Sequence, residues 1–155
     1  MEPTSTAIDY THHLSAVQRL AQQHRGLLEF QAAVAAYLHD HIPHYNWVGF
    51  YMREGVMLAL GPFKGKPTPH TMIPISQGIC GAAVREGQTI VVDDVHSDPR
   101  YLACSIETKS EIVVPLFKDG EAVGELDLDS DQPAAFTDQD RAFLEQVAKV
   151  VEGKL

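Results

Sequence analysis

The chain has 155 residues, 12 of them basic and 21 acidic, for a formal net charge of −9 with its eight histidines neutral. That length suits one domain of about 100–200 residues, large enough to bury about two-thirds of its unfolded surface without a disulfide or metal staple. The acidic balance argues against nucleic acid and anionic membranes as partners, because phosphates would be repelled, and 45% hydrophobic residues argue against disorder.

Two cysteines are too few for a disulfide scaffold and suit a reducing compartment. Residues 1–10 (MEPTSTAIDY) show no basic or apolar signal region and are expected to be a loose leader before one domain over 11–155. No run of about 18 apolar residues is present, so a cytoplasmic address with no membrane contact is expected.

Leu14, Val17, Leu20, Ala21, Leu27 and Leu28 fall mostly at helical spacing, which predicts a first helix over about 14–28. Phe30, Val34, Leu38 and Ile42 repeat every four residues and predict a second over about 28–41, stopped by Pro43. The aromatic and β-branched run from Tyr45 to Met52 predicts a strand. Arg53-Glu54-Gly55 is then a turn, and Val56–Leu60 the returning strand. Gly61–Pro69 holds two glycines and three prolines and is expected to be a loop. Short strands follow at 71–75 and 89–92, flanking a short helix at 78–85. Residues 93–108 show no period, and a loop longer than about 12–15 residues suggests function. Two strands, 111–117 and 122–128, surround an Asp119-Gly120 hairpin signal. A closing helix begins at Thr137, with Asp140 as its capping-box partner. The expected fold is α+β: an antiparallel sheet of about six strands, helices from both chain ends on one face, and the pocket on the other.

Three groups of residues could carry chemistry. Cys80 and Cys104 are each either a small buried hydrophobe or half of a redox pair. Asp127 and Asp129 share a strand face, and Glu111 opens a neighbouring strand. They are either solvated strand ends or carboxylates aimed at a cationic group or supplying a proton. Trp47 and Tyr51 share a face and form either packed core or an aromatic wall for a ligand. His39, His41 and His44 lack zinc-like spacing, so no metal site is expected. Phosphate-loop, G-x-S-x-G and H-E-x-x-H motifs are absent.

Seven short motifs occur in order: Asn46-Trp47-Val48-Gly49-Phe50-Tyr51, Leu60-Gly61-Pro62-Phe63-Lys64-Gly65-Lys66-Pro67, Gly78-Ile79-Cys80-Gly81, Asp94-Val95-His96, Ala103-Cys104, Ser110-Glu111-Ile112-Val113-Val114-Pro115-Leu116 and Leu126-Asp127-Leu128-Asp129-Ser130. Together they resemble the free methionine-(R)-sulfoxide reductases, which are single GAF domains. The resemblance implies reduction of the R-epimer of free methionine sulfoxide, with thioredoxin as reductant and no bound cofactor. It implies a pocket with Trp47 and Tyr51 as its aromatic wall and with Glu111, Asp127 and Asp129 as its carboxylates. It places the thiols at Cys80 and Cys104, Cys104 being the preferred attacker and Cys80 the resolving partner. Glu111 or one of the aspartates would protonate the departing oxygen, and the other carboxylates would hold the substrate ammonium. Two positions depart from the family: a third cysteine found in many members is missing, His70 standing nearest its place, and Ser105 replaces an aspartate. A homodimer through the terminal helices is a further expectation. The competing expectations are a GAF sensor module that binds a small molecule without turnover and a structural dimerisation module.

Overall fold

A computed structural model describes residues 7–103 and 105–155. Cys104 and residues 1–6 of the expected leader lie outside the described residues. Helix α1 spans Tyr10–Gln23 and α2 spans Leu27–His41. Strands β1 (Trp47–Glu54), β2 (Met57–Lys64) and β3 (Met72–Pro74) precede helix α3 (Gly78–Glu86). Strands β4 (Ile90–Val92), β5 (Ser110–Lys118) and β6 (Glu121–Ser130) lead to helix α4 (Asp138–Glu152). The strands form one antiparallel sheet in the order β3-β2-β1-β6-β5-β4. This is the expected α+β architecture.

Period-two alternation sorts each central strand between two apolar layers. On one face Val48, Phe50, Ile112, Val114, Leu126 and Leu128 meet Val17 of α1, Phe30, Val34 and Leu38 of α2, and Phe143, Leu144 and Val147 of α4. Each such fully buried side chain contributes about 1.5–3 kcal/mol. On the other face Trp47, Tyr51, Leu58 and Val113 pack with Ile79, Cys80, Ala83 and Val84 of α3.

Several boundaries differ from the sequence expectation. Helix α1 starts four residues earlier because the Asp9 side chain caps it by accepting from the His12 N–H at 3.1 Å. It ends at Gln23 because His24 is extended. Strand β2 continues through Gly61-Pro62-Phe63-Lys64, where a loop was expected, since β1 supplies partners up to the Val48–Lys64 pair. Strand β6 reaches Ser130, placing Asp129 inside the sheet rather than at a solvated end. The capping box at Thr137 and Asp140 forms as expected.

Candidate active site

Strands β1, β6 and β5 set the site out in rows across the sheet. Trp47, Asp129 and Glu111 form one row. Gly49, Asp127 and Val113 form the next, and Tyr51, Glu125 and Pro115 the third. Glu111, Glu125, Asp127 and Asp129 are at most 6% exposed. Sequence reasoning missed Glu125, although the alternation Glu125-Leu126-Asp127-Leu128-Asp129 puts it on the same face.

Trp47 and Tyr51 close one side. The Trp47 indole stacks on Phe63 (centroids 5.5 Å apart) and donates its N–H to the Lys66 carbonyl at 2.9 Å. The Tyr51 hydroxyl donates to the His70 carbonyl at 2.7 Å. Two glycines make room for the indole: a Cβ at Gly49 would lie 2.4 Å from the ring, and one at Gly65, where φ is +132°, would lie 2.7 Å from it. Helix α3 brings Cys80 over the acid rows, where its Sγ donates to Asp127 Oδ2 at 3.5 Å. The result is a cavity of about 410 Å³ lined by Trp47, Tyr51, His70, Cys80, Tyr101, Leu102, Glu111, Asp127 and Asp129. Six of the seven expected site residues therefore share one pocket, and the seventh, Cys104, lies outside the described residues.

The loop that carries position 104 is tied to the β2–β3 connection on both sides. The His70 ring contacts the Ala103 carbonyl through Nε2 at 2.9 Å, and Lys66 pairs with Glu107. The Ser105 hydroxyl donates to Glu107 Oε1 at 3.0 Å.

Electrostatics in this corner favour protonated groups. Burial pushes the Cys80 thiol well up, and the charges of Asp127, Glu125 and Glu111 add to it. Burial and the neighbouring Asp127 raise the Glu125 carboxyl well above its ordinary value. Burial also raises Asp127, against opposing hydrogen bonds with Glu111 and Cys80. Among the described residues no lysine, arginine or histidine pairs with Asp127 or Glu125. Such a pocket can donate a proton, and it can receive a cation. No histidine takes part in a described cluster with metal-ligand geometry. Such a cluster does form from Cys80, Glu111 and Asp127, which no sequence spacing connects. No described helix is long and apolar enough to cross a membrane.

The GAF domain family profile matches residues 12–155. The chain is 39% identical over 121 residues to the free methionine-R-sulfoxide reductase of Escherichia coli, covering 78% of this chain and 73% of that protein. It is similar to the X-ray structure of free methionine-R-sulfoxide reductase from Neisseria meningitidis in complex with its substrate. The TM-score there is 0.90 at 37% identity, over 96% of this chain and 92% of that one. A Staphylococcus aureus structure described as fRMsr in complex with substrate gives a TM-score of 0.90 at 39% identity, over 99% of both chains.

Proposed function

The chain belongs to the free methionine-(R)-sulfoxide reductases, a family of single GAF domains, and we propose that it performs their reaction with its own two cysteines. The substrate is free L-methionine-(R)-sulfoxide and the product L-methionine. The observation that carries this reading is the buried acid array set between the Trp47 wall and the Cys80 thiol.

The Cys104 thiolate attacks the sulfoxide sulfur. An S–S bond forms as the oxygen is protonated to a hydroxyl. The S–O and S–S bonds then break as the hydroxyl passes to the Cys104 sulfur, leaving methionine as a neutral thioether and Cys104 as a sulfenic acid. The substrate sulfur gains the two electrons that the Cys104 sulfur loses. Oxide is a poor leaving group, so a carboxyl must protonate the oxygen in the transition state. Glu111 serves as that acid, in a corner whose burial raises the neighbouring Asp127 and Glu125 carboxyls above their ordinary values. Asp127 and Asp129 hold the substrate ammonium, which a peptide-bound residue lacks, while Trp47 and Tyr51 flank the apolar part of the side chain.

Cys80 then attacks the sulfenic sulfur. A disulfide forms and the hydroxyl leaves with the thiol proton as water. Its raised thiol pKa suits Cys80 to this second step rather than the first, because a thiol held protonated is a weak initial nucleophile. Asp127, 3.5 Å from Cys80 Sγ, is placed to take the thiol proton. A thioredoxin dithiol reduces the disulfide and returns both cysteines to thiols. No bound cofactor enters these steps.

Thioredoxin-coupled NADPH oxidation tests the reading with the free R-epimer, the free S-epimer and a peptide-bound R-sulfoxide. Turnover is expected with the free R-epimer alone and is lost in Cys104→Ser. Turnover that survives Cys104→Ser moves the attack to Cys80. No turnover with any substrate, in protein with reduced thiols, leaves a binding module.

A further inference from the structure

Cys80, Glu111 and Asp127 come from α3, β5 and β6, and each offers one ligand atom within 4.8 Å of the other two. All three are more than nine-tenths buried, yet all line the open pocket, so an ion from solvent has a path to them. A second observation points to a cation. Asp127 Oδ1 and both carboxylate oxygens of Glu125 are buried with no hydrogen-bond partner among the described residues. Buried acceptors in that state cost free energy until a donor or a cation reaches them.

We propose that, when substrate is absent, this corner binds one zinc ion through the Cys80 thiolate and one carboxylate oxygen each from Glu111 and Asp127. The donor set selects the metal: a thiolate with two carboxylates is too soft for magnesium or calcium, which take oxygen alone, and suits zinc. Donors on a tetrahedral zinc stand about 3.3–3.7 Å apart, given metal–ligand bonds of about 2.0–2.3 Å. Cys80 Sγ and Asp127 Oδ2 are already at 3.5 Å. The remaining pairs close by rotation of the carboxyl groups. Three protein ligands leave the fourth position to water. Binding expels the Cys80 thiol proton, so affinity rises with pH. The two positive charges neutralise an acid cluster that has Glu125 directly beside it on β6.

The metal takes up the resolving thiol and the ammonium-binding aspartate together, so zinc is an inhibitor competitive with the free amino acid. The binding itself depends only on the geometry, whereas the inhibition rests on the proposed reductase reading.

The test uses the full chain, metal-free and reduced with a phosphine. Zinc is titrated against a chromophoric chelator, and cobalt(II) is used as a spectroscopic stand-in. One zinc per chain is expected, with a near-ultraviolet thiolate-to-cobalt charge-transfer band. Loss of an outer partner costs about 10–100-fold in metal affinity, so loss of a ligand in Cys80→Ser should exceed about 100-fold and abolish the band. Asp127→Asn should weaken binding by more than about tenfold, and Cys104→Ser should bind like the wild type. No binding by the wild type, binding unchanged in Cys80→Ser, or binding lost only in Cys104→Ser would overturn the proposal. Zinc binding without turnover on any sulfoxide would sink the reductase reading and leave the metal site standing. Turnover on the free R-epimer without zinc binding would do the reverse.

Discussion

Gly49 of β1 lies directly across from Asp127 of β6, in the one position of the row where a side chain would collide with the Trp47 indole. The missing side chain lets the ring lie over the strand and border the cavity while the carboxyl faces into it. The aromatic wall and the acid array therefore share a single backbone requirement.

Gly49→Ala tests that requirement. Its Cβ would also meet Phe63 Cβ at 2.8 Å, so the indole has no free direction in which to yield along its stacked partner. The expected cost is about 1–3 kcal/mol of stability from overpacking, with KM for the free sulfoxide raised more than kcat is lowered. Urea unfolding and steady-state kinetics read the two effects. An unchanged KM would separate the wall from substrate binding.

Glu125→Gln is expected to stabilise the protein at neutral and alkaline pH. A carboxyl raised by folding keeps its proton in the native state while the unfolded chain releases it. Its contribution is full below the ordinary value of 4.5 and is lost as pH rises through the higher native value. The melting temperature of the wild type should therefore fall as pH rises above the ordinary value of 4.5, and Glu125→Gln should flatten that fall. A fall of equal steepness in both proteins would show that Glu125 is not its source.

The opposite sign holds on the far side of the sheet. Asp140 Oδ1 accepts from the Tyr10 hydroxyl at 2.6 Å, the Tyr45 hydroxyl at 2.7 Å and His44 Nε2 at 2.9 Å, while Oδ2 accepts from the Thr137 N–H and hydroxyl at 2.9 Å each. Burial alone would raise this carboxyl, but the hydrogen bonds from His44, Tyr10, Tyr45 and Thr137 together outweigh it and hold it well below the usual range. Its stabilisation is present above pH 3.8 and is lost as pH falls toward the native value. Asp140→Ala should cost about 3–5 kcal/mol, the range for removing one partner of a buried charged pair. It should also shift acid unfolding, followed by tryptophan fluorescence, to higher pH.

Much of this was legible in the sequence, and the failures have identifiable causes. The alternation of Leu126 and Leu128 with Asp127 and Asp129 fixed which face each residue takes, because a strand has period two. Thr137 and Asp140 announced a helix start, and that local signal held. It gave no hint that Asp140 also gathers Tyr10, His44 and Tyr45, since those contacts span from 95 to 130 residues. Gly61 and Pro62 suggested a loop by composition, whereas they form an irregularity inside β2, between the Gly49–Phe63 and Tyr51–Leu60 pairs that hold the strand to β1 on either side. The approach of Cys80 to Asp127 spans 47 residues and depends on how α3 packs, which no spacing rule encodes.

The His70 ring reaches the Ala103 carbonyl beside position 104 through Nε2 at 2.9 Å. His70→Ala removes one hydrogen bond worth about 1 kcal/mol of stability, so the melting temperature should fall by about 2–4 °C and kcat/KM should fall with it as the loop beside position 104 loses this tie. His70→Asn, which keeps a side-chain donor, should recover part of the loss. Equal losses in both variants would assign the effect to packing of the ring instead.

The division of labour between the two thiols is the central claim, and single turnover without a reductant resolves it. Reduced Cys80→Ser, mixed with excess free methionine-(R)-sulfoxide, should release one methionine per chain and leave a sulfenic acid on Cys104 that a dimedone-type trap labels. Cys104→Ser should release none. Methionine released by Cys104→Ser, or a trap label on Cys80 in the wild type, would contradict the assignment of Cys104 as the attacking thiol.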